Sequence, residues 1–185
     1  MQCYDFAGIG RLVDVGGGYG GLLQAVLQAH PAMRGVVFEL PSVARGAAER
    51  LSTTTVADRC ETIAGDFFAS VPPSGDAYVL SWILHDWDDA SAIRILTNCR
   101  KVLHEGGRVL VIEMIVPAPN DPETPTSPAI SRLVKEADLE MLVVVGGRER
   151  TLSEYRQLLA SADLQLSRVV ALNTLPWTLM EATPR

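Results

Sequence analysis

The chain has 185 residues, 48% of them hydrophobic and 21% charged, which predicts one globular domain with a core large enough to fold without disulfides or a structural metal ion. Its formal net charge is −6, with 16 basic side chains against 22 acidic ones, and this argues against nucleic-acid partners because contacts to phosphates come mainly from lysine and arginine. The longest apolar runs fall far short of the roughly 20 residues that cross a bilayer, so no membrane partner is expected either.

Short β-branched segments alternate with helical ones along the chain, a pattern typical of an α/β fold with a mostly parallel sheet buried on both faces. Segments with strand character cover residues 11–15, 35–40, 61–64, 77–83, 108–115, 166–172 and 177–182. The first five alternate with helices. The last two are close together in the sequence, so we expect them to pair as an antiparallel hairpin added to the parallel sheet.

Capping and helix-breaking residues mark the predicted helices. These helices run from the glycine-rich segment to Pro31, over residues 41–51, from residue 88 to residue 106, over residues 131–145 and from residue 151 to residue 162. Asp88 is the expected N-cap of the third helix, and Thr151 with Glu154 forms the capping-box pattern of the last. Prolines between residues 117 and 128 predict an exposed loop before the fourth helix.

A glycine-rich run lies directly between the first strand and the first helix. Gly16, Gly18 and Gly20 let the backbone approach a ligand closely, and the N–H groups of the helix N-terminus face the same place, so a nucleotide ligand is predicted. Glu39 ends the second strand, where an acid can accept hydrogen bonds from both hydroxyls of a ribose. Reading Gly21 as the third glycine satisfies the dinucleotide fingerprint instead, so the glycines alone leave two cofactor classes open.

Asp14 stands two residues before the first glycine, and the resulting pattern DxGxGxG resembles motif I of S-adenosylmethionine-dependent methyltransferases. The resemblance covers nearly the whole chain, because further motifs of small-molecule O-methyltransferases of the caffeic acid and hydroxyindole type follow in the same order. They are LVDVGGGYG (12–20), FELP (38–41), GDFF (65–68), WILHDW (82–87), the glycine pair 106–107 and GGRERT (146–151). The combination of HDW with GGRERT is far more specific than the glycine motif.

The resemblance implies a Rossmann-like class I methyltransferase fold with a seven-stranded sheet, and S-adenosyl-L-methionine as the cofactor without a metal ion. The matching cofactor-side positions are Asp14, Gly16, Gly18, Gly20, Glu39, Asp66, Phe67 and Ser81. Glu39 would bind the ribose hydroxyls, although the family usually has aspartate there, and Asp66 with Phe67 would flank the adenine. Ser81 stands where plant members carry a lysine that contacts the cofactor, so that particular contact is not carried over.

The chemistry implied by the resemblance is in-line transfer of the sulfonium methyl group to a substrate oxygen. A phenol with a pKa near 10 is only about one part in a thousand ionised at pH 7, so a base within hydrogen-bond reach would help. The family match assigns this role to His85, which we place at the end of the fourth strand. Glu113 and Glu149 match the carboxylates that orient the imidazole and stabilise its charged form. Trp82 and Met141 match positions on the side of an aromatic hydroxyl substrate.

The remaining histidines and the cysteines are not expected in the site. His30 and His104 lie near helix ends, where a role at the surface or with the helix dipole is expected. Cys3, Cys60 and Cys99 are far apart and show no CxxC spacing, so neither a disulfide nor a zinc site is predicted. Reduced cysteines fit a cytoplasmic protein.

Full-length members of this family carry an additional N-terminal, helical, winged-helix-like domain that mediates homodimerisation and helps to cover the substrate. The resemblance here begins almost at the first residue, so residues 1–185 are expected to be the catalytic domain alone and able to exist as a monomer. Two other functions stay open. The chain could bind the cofactor without turnover, or it could be an NAD(P)-dependent oxidoreductase, a hypothesis that rests on the glycine ambiguity and Glu39.

Overall fold

The structure, a computed structural model, describes residues 4–118, 128–172 and 176–185. Cys3, residues 119–127 of the predicted proline-rich loop and residues 173–175 between the last two strands lie outside the described residues. Within the described ranges, no helix is both long and apolar enough to cross a membrane.

The described strands form a seven-stranded sheet in the order β3-β2-β1-β4-β5-β7-β6. They are β1 (Arg11–Val15), β2 (Arg34–Glu39), β3 (Cys60–Ala64), β4 (Ala77–Ser81), β5 (Arg108–Met114), β6 (Leu164–Ala171) and β7 (Trp177–Pro184). Neighbours among β1 to β5 are parallel, whereas β7 is antiparallel to both β5 and β6. The predicted α/β fold, mostly parallel with a C-terminal antiparallel hairpin, is therefore confirmed.

Helices cover both faces of this sheet. They are α1 (Gly21–Ala29), α2 (Pro41–Leu51), α3 (Asp89–Val102), α4 (Pro128–Val144) and α5 (Leu152–Ser161). Two of the predicted caps are confirmed. The Asp88 side chain accepts a hydrogen bond from the backbone N–H of Ser91, and Thr151 and Glu154 form both halves of a capping box.

Alternating side chains of the central strands supply two apolar layers. On one face, strand residues such as Val13 and Leu80 pack with α3 and α5, and on the other, Leu12 and Val37 pack with α1 and α2. Burial of one such leucine or valine side chain contributes roughly 1.5–3 kcal/mol. The five parallel strands all end at the same edge of the sheet. The glycine-rich run and the FELP, GDFF and WILHDW motifs lie at that edge.

The prediction that the fourth strand reaches residue 83, with His85 at its end, is wrong. β4 ends at Ser81 because Trp82 adopts a left-handed backbone conformation with φ of 59°, which breaks the extended chain. A 3₁₀ turn over Leu84–Asp86 follows and carries His85. Two helix boundaries also differ from the prediction. α3 ends at Val102 instead of residue 106, and α4 begins earlier than predicted, at Pro128, since proline suits the first turn of a helix.

Candidate active site

The glycine-rich loop closes the carboxyl end of β1. The backbone N–H of Gly16 donates to the carbonyl of Phe38 on β2 at 2.8 Å, which ties the loop to the neighbouring strand end. Gly16, Gly18 and Gly20 all have positive φ angles, of 71°, 55° and 75°, and glycine adopts this conformation without steric cost. At these three glycines the loop therefore exposes backbone rather than side chains at the sheet edge.

The packing of Gly20 and Gly21 bears on the two cofactor classes. A Cβ atom on Gly20 would lie 2.8 Å from Cδ1 of Leu51 and 3.0 Å from Cγ2 of Val37, whereas a Cβ atom on Gly21 would meet nothing within 4 Å. In the dinucleotide fingerprint the third glycine is needed for close helix–strand packing. Here Gly20 meets that requirement and Gly21 does not, which favours the DxGxGxG reading over GxGxxG.

Two acids lie against the glycine loop. The Glu39 carboxylate accepts hydrogen bonds from the backbone N–H groups of Gly18, at 3.2 Å, and Leu40, at 2.7 Å. Asp14 lies beneath the loop and is 1% exposed; among the described residues its Oδ2 has no hydrogen-bond partner. Burial, and next the charge of Glu39, raises the pKa of Asp14 to about 7.

The loop that carries Asp66 and Phe67 is held in place by α3. The side-chain amide of Asn98 donates to the carbonyls of Phe67 and Phe68 at 2.9 and 3.1 Å. The Phe67 ring approaches the glycine loop, since a Cβ on Gly16 would lie 3.5 Å from its Cε1 atom. Asp66 is exposed and its carboxylate caps the turn by accepting from the N–H of Phe68, so the structure gives it a turn-forming role.

These residues could hold a ligand that carries hydroxyl donors and a cationic centre. Gly16, Gly18 and Gly20 add no side chains to the loop, and Glu39 offers carboxylate oxygens for hydroxyl donors. The buried oxygen of Asp14 lacks a partner among the described residues. An unpaired buried carboxylate oxygen is costly, and a donor or cation supplied by a ligand would offset that cost. Ser81 lies half-buried at the end of β4, on the same sheet edge.

His85, Glu113 and Glu149 come together at the ends of β4 and β5. Nδ1 of His85 lies 2.9 Å from Oε1 of Glu149 and 3.6 Å from Oε2 of Glu113. All three residues are buried: the exposed fraction is 8% for His85, 4% for Glu149 and 0% for Glu113. Oε1 of Glu113 accepts hydrogen bonds from the backbone N–H groups of Ile83 and Leu84, which fixes this carboxylate against the His85 turn. The predicted grouping of these three residues is found in the structure.

The charges of this cluster favour a protonated imidazole. Burial of the ring lowers the pKa of His85, but the hydrogen bond with Glu149 and the charges of Glu113, Glu149 and Asp86 together outweigh burial and raise it. Burial raises the pKa of Glu113 to about 7, against the lowering effect of the His85 charge. With Nδ1 directed at Glu149, Nε2 is the nitrogen left to take up a proton; it lies 3.5 Å from Oδ1 of Asp86.

The ligand atoms of these three residues lie within 4.8 Å of one another, and among the described residues they form the group that could hold a metal ion. Two of the three groups are already joined by the short contact between His85 and Glu149, and the third is anchored to backbone N–H groups. This arrangement suits the movement of a proton. The expectation that no metal cofactor is used stays a prediction.

The segment of residues 147–150 wraps around the His85 turn. The backbone N–H of Arg148 donates to the carbonyl of His85 at 2.8 Å, and a Cβ atom on Gly147 would overlap the same carbonyl oxygen. The backbone N–H of Glu149 donates to the Asp138 carboxylate of α4 at 2.8 Å. Tertiary contacts therefore bury Glu149, although it stands between two arginines in the sequence.

Sequence reasoning missed four residues that hold this site. They are Asn98, Asp138, Gly147 and Arg150. Arg150 is fully buried, although an arginine beside an acid and a helix cap normally indicates a surface cluster. Only its position inside the GGRERT motif indicates that Arg150 belongs to the site. Burial by segments distant in the sequence leaves no local pattern from which it could be predicted.

Trp82 precedes the turn that carries His85 and Met141 lies on α4, and the two side chains differ in exposure. Trp82 is 51% exposed and stacks on Trp177 of β7, with ring centroids 4.1 Å apart and planes 22° from parallel. Met141 is half-buried on α4, and its carbonyl accepts from the backbone N–H of Gly147, which joins α4 to the segment around His85. His30 and His104 lie away from this site, at the end of α1 and beside Asp76 respectively.

The chain matches the family model described as an O-methyltransferase domain over residues 1–165. It is 42% identical to phenazine O-methyltransferase PhzM of Lysobacter antibioticus over 170 residues, which cover 92% of this chain and 47% of that protein. It is 43% identical to the O-demethylpuromycin-O-methyltransferase of Streptomyces alboniger, with 98% of this chain and 47% of that protein covered. The chain thus spans about half the length of the curated relatives it matches.

Solved structures give the same result for the fold. An O-methyltransferase from neocarzinostatin biosynthesis, crystallised with S-adenosylmethionine and 2-hydroxy-5-methyl naphthoic acid, superposes with a TM-score of 0.85 at 37% identity. The match covers 98% of this chain and 51% of that one. The similarity therefore extends over nearly the whole chain.

Proposed function

Since the chain belongs to the O-methyltransferase domain family, we propose that it binds S-adenosylmethionine and transfers the methyl group to a hydroxyl of a small aromatic molecule. The observation that carries this proposal is one sheet edge that presents both the glycine loop with Glu39 and the buried His85–Glu149 pair. Relatives named for the O-methylation of phenazine and O-demethylpuromycin support the aromatic acceptor.

The cofactor would lie along the glycine loop. Asp14, Gly16, Gly18 and Gly20 would line its methionine and ribose parts, and Glu39 would accept from the ribose hydroxyls once these replace its present backbone partners. Asp66, Phe67 and Ser81 would lie on the adenine side. When bound, S-adenosylmethionine supplies a methyl group on a positively charged sulfur. This sulfur is a good leaving group when an oxygen nucleophile attacks the methyl carbon.

The task left to the protein is to deprotonate and position the acceptor hydroxyl. Nδ1 of His85 is held by Glu149, so neutral His85 would take the hydroxyl proton at Nε2. The carboxylates of Glu149 and Glu113 then stabilise the imidazolium that forms, in a buried place where their charge acts strongly. Trp82 and Met141 would contact the ring of the acceptor.

We further propose that residues 1–185 are the catalytic part of the protein and that it works in the cytoplasm. The exposed apolar side chains near the site are consistent with a partly open acceptor side in the described structure. They include Tyr19, Leu40, Trp82, Leu139 and Leu142. Cofactor binding and methylation of an acceptor by this chain are therefore tested in two separate experiments.

The first experiment is a calorimetric titration of the chain with S-adenosylhomocysteine, with NADH and NADPH as controls. We expect S-adenosylhomocysteine to bind, and Glu39→Ala to weaken binding by on the order of 10-fold or more, because hydrogen bonds to a charged group contribute about 1.5–3 kcal/mol. Glu61→Ala, at an exposed glutamate on β3, is the matched control.

The second experiment mixes the chain with S-adenosylmethionine and a panel of phenols, naphthols and hydroxyindoles, and detects methylated product by mass spectrometry. Product formation supports the proposal. Cofactor binding without any product would instead identify a binding module, and binding of NADH or NADPH without S-adenosylhomocysteine would identify an oxidoreductase.

A further inference from the structure

Arg150 is a fully buried arginine for which the proposed reaction has no direct use. Its guanidinium lies between the turn that carries His85 and the first residue of α3. We propose that Arg150 is the positioning residue of His85, and that it sets the place and orientation of the imidazole without touching the substrate. This inference rests on the proposed function for its kinetic consequences, but its structural part stands on the contacts alone.

The side chain of Arg150 holds both ends of the His85 turn. Nη1 donates to the carbonyl of Leu84 at 2.8 Å, and Nη2 donates to the carbonyl of Trp87 at 2.7 Å. These two carbonyls flank His85 and Asp86 in the sequence. Nε donates to Oδ1 of Asp89 at 2.9 Å, which adds the start of α3 to the same group. One planar cation thus holds the turn at two carbonyls and the start of α3 at one carboxylate.

The backbone of Arg150 is anchored to the strand that carries Glu113. Its carbonyl accepts from the N–H of Val116 at 2.9 Å, and Arg150 forms a parallel bridge with Ile115, just beyond the end of β5. The preceding residue, Glu149, supplies the carboxylate that contacts Nδ1 of His85. A single residue therefore connects the three chain segments that contribute His85, Glu113 and Glu149.

The chemistry of arginine explains why this residue type stands here. A guanidinium presents five N–H donors in a rigid plane, whereas a lysine ammonium offers three donors from one point and cannot span two carbonyls and a carboxylate together. Burial of a charge with one carboxylate partner is expensive, and replacement of such groups by apolar ones is often neutral for stability. The guanidinium of Arg150 therefore contributes fixed hydrogen-bond geometry at the His85 turn.

The test compares Arg150→Lys with Arg59→Lys. Arg59 is a matched control because its guanidinium also binds backbone carbonyls, those of Leu27, His30 and Met33, at the other edge of the sheet. The readouts are the imidazole ¹⁵N resonances of His85 as a function of pH, assigned by their loss in His85→Asn, the affinity for S-adenosylhomocysteine, and kcat with an acceptor found in the panel above.

For Arg150→Lys we expect a changed His85 titration and a fall of kcat by about 10- to 100-fold, since a displacement of about 1 Å at a catalytic group has effects of this size. The cofactor affinity should stay unchanged, because Arg150 contacts none of the glycine-loop residues. Arg59→Lys should alter neither the His85 titration nor kcat. A parental His85 titration and kcat in folded Arg150→Lys would overturn the proposal.

If Arg150→Lys does not fold, Asp89→Asn decides the question, since it removes the charge of a half-exposed partner and leaves the arginine in place. A shifted His85 titration in that variant supports the proposal and a parental one overturns it. Failure of the proposed function is distinguishable from failure of this inference. If the proposed function fails, the parent methylates no acceptor although the His85 resonances change in Arg150→Lys. If this inference fails, the parent is active and the His85 resonances do not change in Arg150→Lys.

Discussion

Nδ1 of His85 lies 2.9 Å from Oε1 of Glu149, although 64 positions separate the two residues in the sequence. The contact is buried, and it leaves Nε2 as the nitrogen that can accept a proton. It also couples the charge state of the imidazole to a carboxylate, so the proposed transfer reaction should depend on pH in a way that this pair controls.

We predict that methyl transfer rises with pH through the raised pKa of His85. Below that pKa, which lies above the ordinary value of 6.5, the imidazole is already protonated and cannot accept the hydroxyl proton. Glu149→Gln removes a charge that stabilises the imidazolium, so the rising limb should move to lower pH while the maximal rate falls. The profile of kcat/KM against pH tests this, with Glu61→Gln at a surface position as the control; coincident profiles for parent and Glu149→Gln would contradict it.

Replacement of the base itself should separate chemistry from cofactor binding. His85→Asn should lower kcat by about 10²- to 10⁴-fold, which is the usual contribution of a general base, and leave the affinity for S-adenosylhomocysteine unchanged. His104→Asn serves as the comparison because His104 is exposed and pairs with Asp76. Steady-state kinetics and calorimetry provide both quantities. An unchanged kcat in His85→Asn would show that positioning of the two substrates, and not His85, supplies the rate.

The buried Asp14 carboxyl should make stability depend on pH. Its pKa is about 7 in the fold against 3.8 in the unfolded chain, so the folded state keeps a proton that the unfolded state loses, and stability falls as pH rises from about 4 to 7. At about 1.4 kcal/mol per pKa unit, the loss for this one group approaches about 4 kcal/mol. Glu113 acts with the same sign, because its pKa is also raised to about 7.

Asp14→Asn should therefore be more stable than the parent at about pH 8 and little different from it at about pH 4. Urea unfolding at the two pH values measures this difference. A gap between variant and parent that does not change with pH would mean that Asp14 is ionised in the folded protein. The same variant is expected to bind S-adenosylhomocysteine more weakly, since it removes the carboxylate beneath the glycine loop.

Two alanine substitutions in the glycine-rich run should have opposite outcomes. Gly16 has φ of 71°, and a Cβ there would lie 2.5 Å from Cδ1 of Ile83, so Gly16→Ala strains the loop and should lower the affinity for S-adenosylhomocysteine by on the order of 10-fold or more. Gly21 begins α1 with open space around it, so Gly21→Ala should keep the affinity and stabilise the helix by roughly 0.5–1 kcal/mol. Equal affinities for the two variants would contradict the assigned loop geometry.

Much of the fold could be predicted from the sequence because its signals are local. β1 and α2 have the predicted bounds, since β-branched residues, Pro41 and Gly16 act within their own segments. The cap at Asp88 and the box of Thr151 with Glu154 are also local, because they depend on residues three positions apart.

The geometry around His85 could not be predicted in this way. The left-handed backbone of Trp82 has no sequence signal, because a bulky residue seldom adopts it and long-range packing maintains it here. Burial of Arg150 depends on two carbonyls and a carboxylate, and burial of Glu149 on an imidazole, all more than 60 positions away in the chain. The resemblance to a family identified Glu149 as functional, while its surroundings became visible through the tertiary structure.

The parallel indoles of Trp82 and Trp177 lie close enough for their electronic transitions to couple. Excitation would be shared between the two rings and would appear as a paired positive and negative band in the circular dichroism spectrum. The protein would therefore carry an intrinsic optical reporter beside its candidate active site. Binding of an aromatic compound that separated the rings would remove the paired band and so be detected without any label.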